Sequence, residues 1–339
     1  MDKFNLTYIK NKNFNADISD FDYESAKIVN NFHKSFDSYE IPPPVDLKNL
    51  SKEIGIKGFF VKDESYRFGL NAFKVLGASY AIANYIKDRI GLDENNLSFD
   101  EITSNETKEK LGKITFATAT DGNHGRAVAW TANKLGQISK VFMPKGTSLE
   151  RLENIRRENS DANIMEENYD DCVRLAAKFA EENKGVLIQD TSWEGYIDVP
   201  KNIMKGYLTM AFEVYNELKE KDIMPTHIFL QAGVGSMAAS ITAFFRNVLK
   251  DNPPKIIIVE PNKVNCLYRT ADANDGKLHF VKGDLNSIMV GLNCGEPITI
   301  GWPILENYAD YFLSVDYNYT KIGMRLLANP IKNDRKIIS

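Results

Sequence analysis

The sequence predicts an α/β protein made of two open parallel-sheet domains with a cleft between them. From residue 114 onward, short apolar runs alternate with helix-length amphipathic segments, the pattern of parallel sheets covered on both faces. The alternating units are too many for one comfortable sheet, which favours two domains. At 119–126 and again at 231–237, a strand runs through a turn rich in glycine or asparagine into a helix. Ligands of parallel α/β sheets sit at the carboxyl ends of strands, so both turns are expected to face the cleft.

The elements follow in order. Residues 1–45 are polar and aromatic and end in Ile41-Pro42-Pro43-Pro44, an extended or turning entry. A short helix is expected over 47–54, stopped by Gly55, and a strand over 58–61. A helix is expected from 71 to 90, broken at Gly91, and residues 92–111 read as an acidic surface insertion without an apolar face. Strands are then expected at 114–117, 140–143, 162–165 and 186–188, with helices at 128–135, 148–158, 171–182 and 202–219 between and after them. The unit repeats with strands at 228–230, 256–259 and 312–315 and helices at 237–249, after 265, and at 321–327.

Composition bounds the function. The chain has 339 residues, 43% hydrophobic and 26% charged, as an ordinary globular protein does. A net charge of −4 without a basic run gives no electrostatic footprint for nucleic acid. The first residues show no signal-peptide pattern, and the uncharged segment 228–245 is interrupted by Gln231, Gly233, Gly235, Ser236 and Ser240. It is therefore read as strand, turn and helix rather than a membrane span, and a cytoplasmic protein is expected. Cys172, Cys266 and Cys294 form no ligand pattern, and free thiols in a reducing compartment are expected. His33, His124, His227 and His279 show no metal spacing, so no metal site is expected.

Lys74 is the first candidate. It sits among Phe73, Val75, Leu76 and Ala78 at helical spacing, which draws its amine inward. A desolvated amine is pushed towards its neutral, nucleophilic form, the condition for Schiff-base chemistry. The plain alternative is a lysine whose stem lies on the apolar surface and whose ammonium reaches water. In the turn Ala119-Thr120-Asp121-Gly122-Asn123-His124-Gly125-Arg126, Asp121 is a candidate proton carrier. Asn123 there suits a phenolic or carboxylate oxygen, although both residues also serve as helix caps. In Gln231-Ala232-Gly233-Val234-Gly235-Ser236-Met237, glycines let backbone amides approach an anion at a helix start. No Gly-Lys-Ser/Thr follows and a third glycine is missing, so a monophosphate fits better than a nucleotide. Asp190 and Glu194, after the strand at 186–188, are placed to hold a cationic substrate or merely to solvate a loop.

Lysine, asparagine turn and glycine turn together resemble the pyridoxal-phosphate (PLP) enzymes of the tryptophan synthase β-like fold, fold type II. More narrowly, the sequence resembles the diaminopropionate ammonia-lyase family from about residue 40 to its last residue. The resemblance is carried by Arg67-Phe68-Gly69-Leu70-Asn71-Ala72-Phe73-Lys74, by 118–126, by Gln189-Asp190-Thr191, by Trp193-Glu194-Gly195-Tyr196 and by Gly291-Leu292-Asn293-Cys294-Gly295-Glu296-Pro297. Asp121 discriminates, because related serine and threonine dehydratases usually carry Ser there.

The resemblance implies a homodimeric lyase that converts D- and L-2,3-diaminopropionate to pyruvate and two ammonia. Lys74 would hold PLP and serve as base for the L isomer, with Asp121 as base for the D isomer. Asp190 would hold or protonate the distal amine and Asn123 would meet the ring oxygen. Gly233, Val234, Gly235, Ser236 and Met237 would hold the phosphate. It also implies a larger domain of residues 1–60 and 180–339 and a smaller one of 61–179. Family members continue for several tens of residues beyond Ser339, and that part carries a final strand and helix and a hydroxyl residue near the pyridine nitrogen. A serine/threonine dehydratase and a truncated, inactive PLP-fold protein are the alternatives.

Overall fold

A computed structural model describes residues 4–283, 285 and 287–338; Ser339, on which the expectation about the chain's end falls, lies outside them. Ten strands are present among the described residues. In chain order they are β1 Asn5–Thr7, β2 Pro44–Asp46, β3 Phe60–Lys62, β4 Thr115–Ala119 and β5 Ile138–Met143. There follow β6 Asp161–Ile164, β7 Val186–Leu187, β8 His227–Gln231, β9 Lys255–Pro261 and β10 Tyr311–Val315. They form two four-stranded sheets, ordered β1-β10-β9-β8 and β6-β5-β4-β7, and a two-stranded ribbon of β2 and β3. Every pair in the β6-β5-β4-β7 sheet is parallel. In the other sheet only β1 runs antiparallel, against β10. The expected α/β class with two parallel sheets is what the chain adopts.

The strands read as apolar runs because helices cover both their faces. Ile256 and Ile258 of β9 and Phe116 and Ala117 of β4 are fully buried. Small residues at Ala117, Thr118 and Ala119 bring the helix Asn123–Lys134 close to its sheet. Gly125 on that helix is required by its neighbours, since a Cβ there would lie 2.2 Å from Cγ2 of Thr120.

The 17-residue helix Lys74–Ile90 crosses the centre of the molecule and ends at Gly91, whose φ of 73° makes the left-handed cap. It lies against the helix Asp198–Gly206 so tightly that a Cβ on Gly206 would stand 2.3 Å from the carbonyl oxygen of Leu76. That contact sets the distance between Lys74, at one helix start, and Tyr207, which follows the other.

Several expectations are corrected. Residues 92–111 are not an insertion without an apolar face: the helices Phe99–Thr103 and Asn105–Leu111 form there, and Leu97 and Ile102 are buried. Two apolar residues in a charged stretch leave no visible stripe, yet each fills a core position. The single helix expected at 202–219 is two, Asp198–Gly206 and Leu208–Glu220, meeting at Tyr207. β7 pairs in parallel with β4 and so lies in the β6-β5-β4-β7 sheet. Finally, the first 45 residues hold β1 and the helix Tyr23–Lys34. Asp22 caps that helix through the Ser25 N–H, and Ala26, Val29 and Phe32 form its buried face.

Candidate active site

The segment before Lys74 is a strap held in unusual backbone conformations. Phe68, Gly69 and Asn71 have φ of 50°, 70° and 56°. For a bulky Phe this is a true outlier, which persists only where surroundings over-determine it. Arg67 supplies the anchor. Its guanidinium, fully buried, donates to both oxygens of Glu213 at 2.9 and 2.7 Å and to both oxygens of Glu64 at 2.8 Å. Lys62 adds a bond of 2.6 Å to Glu213. On the other side Arg126 donates to the Leu70 carbonyl at 3.2 Å. The strap is thus tied to both halves of the chain.

Lys74 opens its helix, and its Nζ donates to Oδ2 of Asp190 at 2.6 Å. Burial opposes the ammonium, but the Asp190 carboxylate outweighs it and lifts the amine above its ordinary range. The expectation of a neutral, desolvated amine is therefore corrected: the lysine is half-buried and is one member of an ion pair. Asp190 in turn is held at about 2: burial raises it, but the charge and hydrogen bond of the Lys74 ammonium more than offset that. The carboxylate is fixed from two sides. Gln189 beside it accepts from Thr118 and from the Ala119 N–H, both at 3.0 Å, while Ser236 Oγ donates to the Asp190 carbonyl at 2.8 Å. Asp190 therefore ties the β4 turn to the glycine turn.

Asp121 faces Lys74 electrostatically from the other strand end, and burial raises its pKa while Arg151 and Lys74 pull it down. Arg151 donates to the Asp121 carbonyl at 3.1 Å and to its carboxylate at 3.3 Å. Removing that cation with Arg151→Ala raises the pKa of Asp121 further. Any reaction that needs the Asp121 carboxylate as base then has the acid limb of its pH–rate profile displaced to higher pH, and a kcat/KM profile reads the shift. Asn123 is exposed at the start of its helix, free to meet a ligand. Glu194, also exposed, shows no polar partner among the described residues and stands outside the Lys74–Asp190 pair. Cys266 and Cys294 flank the glycine turn: Cys266 Sγ approaches the Gly233 carbonyl at 3.8 Å, and a Cβ on Gly233 would meet Cys294 Sγ at 3.1 Å. All three cysteines are free thiols.

The residues fit pyridoxal phosphate. At 231–237, the amides of Gly233, Val234, Gly235, Ser236 and Met237 donate to no carbonyl among the described residues, at the start of the 13-residue helix Ser236–Val248. Gly235 has φ 104°, which a side chain would strain. Beside Lys74, the Tyr207 hydroxyl and Nδ1 of His124 are buried without a hydrogen-bond partner. Backbone donors that meet no carbonyl suit a phosphate, a half-buried lysine suits an aldehyde, and unpartnered polar atoms suit a ring with polar substituents.

The structure thus brings together Lys74, Asp190 and the glycine turn, with Asp121 and Asn123 on the facing turn. Sequence reasoning missed His124, Arg151, Tyr207 and the Arg67–Glu213 anchor. His124 and Arg67 lay inside motifs already singled out; Arg151, Tyr207 and Glu213 had no local signal, being far from those motifs in sequence.

Comparison with known proteins agrees with this geometry. Residues 37–331 match the family described as pyridoxal-phosphate dependent enzyme. The chain is 48% identical over 300 residues to a diaminopropionate ammonia-lyase of Salmonella typhimurium, covering 88% of this chain and 74% of that one. It is 44% identical over 331 residues to the diaminopropionate ammonia-lyase of Escherichia coli K12, covering 97% of this chain and 81% of that one. The crystal structure of the Escherichia coli enzyme in complex with D-serine superposes with a TM-score of 0.92 at 41% identity, covering 99% of this chain and 83% of that chain. The family match over most of the chain and the 44–48% identity to these relatives place it plainly: it belongs to the diaminopropionate ammonia-lyase family of pyridoxal-phosphate dependent enzymes.

Proposed function

We propose that the chain eliminates ammonia from 2,3-diaminopropionate of either configuration and releases pyruvate and two molecules of ammonia. The observation that carries this reading is the half-buried Lys74 bonded to the Asp190 carboxylate, with the Asp121 carboxylate near enough for the Lys74 charge to pull its pKa down. Lys74 holds pyridoxal phosphate through Nζ, the amides from Gly233 to Met237 hold its phosphate, and Asn123 meets its ring oxygen. When bound, the cofactor supplies an electron sink for charge developing at Cα.

The protein's own groups supply the rest. Lys74 takes the Cα proton of the L isomer, and Asp121, on the opposite face, takes that of the D isomer. The Cα–H pair becomes the new Cα–Cβ bond as the Cβ–N bond breaks. Asp190, itself ionised, orients the neutral distal amine and relays to it a proton from the neighbouring nitrogen bases, so that the nitrogen takes the Cβ–N pair and leaves as ammonia. The resulting 2-aminoacrylate reacts with water to give pyruvate and the second ammonia. A second amine donates its N–H groups to carboxylates, which a hydroxyl substrate does not require.

The two-base arrangement is tested with Asp121→Asn. Expected is a loss of about 10²-fold or more in kcat/KM for the D isomer, with the L isomer changed only a few-fold, in proportion to what a positioned base contributes. Equal losses for both isomers contradict it.

We further read the chain as a cytoplasmic homodimer with two domains, their boundary after β7. Composition and free thiols support the compartment, the pairing of β7 with β4 supports the boundary, and the dimer rests on the family resemblance alone. Among the described residues no helix is long and apolar enough to cross a membrane.

A further inference from the structure

His124 has no part in the roles above, yet its ring is buried in the site. Its Nε2 lies 2.8 Å from the carbonyl oxygen of Ile188. A carbonyl only accepts, so Nε2 carries a proton, and in the neutral ring Nδ1 is a bare lone pair. That Nδ1 is shielded from solvent and has no hydrogen-bond partner among the described residues. Facing it at 3.9 Å is Oδ2 of Asp190, the same oxygen that accepts from Lys74 Nζ at 2.6 Å. One carboxylate oxygen therefore looks onto two nitrogen bases, one protonated and one empty.

This arrangement answers a difficulty in the proposed chemistry. Lys74 must become neutral to act as nucleophile or base, and that would leave Asp190 as an uncompensated buried charge. We propose that His124 is a positioning residue that stores the proton Lys74 gives up and returns it through Asp190 to the departing amine. On loading, an N–H bond of Nζ breaks with its electron pair left on nitrogen. The proton passes by Oδ2 to the lone pair of Nδ1, forming an imidazolium beside the carboxylate. The three groups keep the same total charge. On elimination, the Nδ1–H bond breaks as an O–H bond forms on Oδ2, and that acid protonates the β-nitrogen as it leaves with the Cβ–N pair.

The surroundings act in the required direction. Burial pushes His124 down, Asp190 pushes it up, and the Lys74 ammonium pushes it down again. The Ile188 carbonyl and Asp121 also favour its charge. Tyr207, Tyr169 and Cys294 respond to the Asp190 charge and stay neutral, burial raising each of them. Loss of the Lys74 charge therefore leaves Asp190 in control of the ring.

The inference rests on the reading that Lys74 holds the cofactor and Asp190 faces the leaving amine, and its test is separable from that reading. The full-length chain is labelled with ¹⁵N-histidine, and the ring nitrogens of its four histidines are followed against pH without cofactor. In the wild type His124 stays neutral with its proton on Nε2. In Lys74→Met its proton affinity rises at least tenfold, one pKa unit. Lys74→Arg, which keeps the charge, leaves it at the wild-type value, and Lys74→Met with Asp190→Asn cancels the rise. An unchanged titration in Lys74→Met, or an equal rise in Lys74→Arg, overturns the proton store. If Lys74→Met does not fold, Lys74→Gln carries the same comparison. Pyruvate formation by the PLP-loaded wild type, measured on the same preparation, decides the activity separately. Turnover with a flat titration rejects only the role of His124, whereas a rise without turnover rejects only the activity.

Discussion

Lys74→Ala abolishes pyruvate formation from both isomers of 2,3-diaminopropionate, lowering kcat/KM by about 10⁴-fold or more. This is the upper end of what one positioned acid–base group contributes, and it is reached because the same nitrogen also anchors the cofactor. The D isomer falls with the L isomer, although its own base is Asp121. The visible absorption that reports cofactor joined to Nζ disappears in the same variant. Asp190 loses the ammonium that holds its pKa at about 2, and burial then drives that pKa upward. Residual turnover within tenfold of the wild type would remove Lys74 from the chemistry altogether.

Glu213→Ala lowers unfolding stability by about 3–5 kcal/mol, the cost of breaking a buried ion pair and leaving its partner charged and unpaired. Here two cations lose the same partner. Arg67 is fully buried and Lys62 nearly so, and Tyr39 also donates to Glu213, at 2.6 Å. Glu64 still neutralises one charge, but no group replaces the two-oxygen acceptor. Denaturant unfolding measures the change. The double replacement Arg67→Leu with Glu213→Leu recovers much of the loss, since it buries no orphaned charge. The sign with pH also follows. Burial raises the Glu213 pKa, but Arg67 and Lys62 outweigh it, so the folded value lies below the ordinary 4.5. The stability it contributes is present above that unfolded value and is lost as pH falls through the folded one. Because Arg67 pins the strap whose Phe68 has φ 50°, the weakened anchor also loosens Lys74.

Much of this protein was legible in its sequence where one segment carried its own signal. The strands β4, β5, β9 and β10 announce themselves because each lies inside its sheet, is largely covered on both faces and reads as an apolar run, whereas the edge strand β8 reads as one although Phe229 stays exposed. Lys74 stands out by its apolar neighbours at helical spacing, and Asp121, Asn123 and the turn at 233–237 because they lie where strands end and helices begin. What was illegible depends on long-range closure. Nothing near Arg67 indicates that Glu213, 146 residues later, will neutralise it. Arg151 sits on a helix with an ordinary charged surface, and only the fold turns it towards Asp121. Leu97 and Ile102 are buried by neighbours that the charged stretch around them does not reveal. The charge state of Lys74 was misjudged for the same reason. Local apolar neighbours argued for a neutral amine, but the carboxylate that reverses this arrives from Asp190, 116 residues away. His124 lay within a motif already noted, but its importance depends on which nitrogen the Ile188 carbonyl occupies.

The central claim is that two carboxylates around one lysine select a substrate with a second amine. It is tested most directly by steady-state turnover of the PLP-saturated wild-type chain, with pyruvate and ammonia both quantified. D- and L-2,3-diaminopropionate and serine are compared in parallel. Both diaminopropionate isomers are expected to be consumed with two ammonia released per pyruvate, and serine to be a far poorer substrate. Serine turnover exceeding that of either diaminopropionate isomer, at one ammonia per pyruvate, would contradict it.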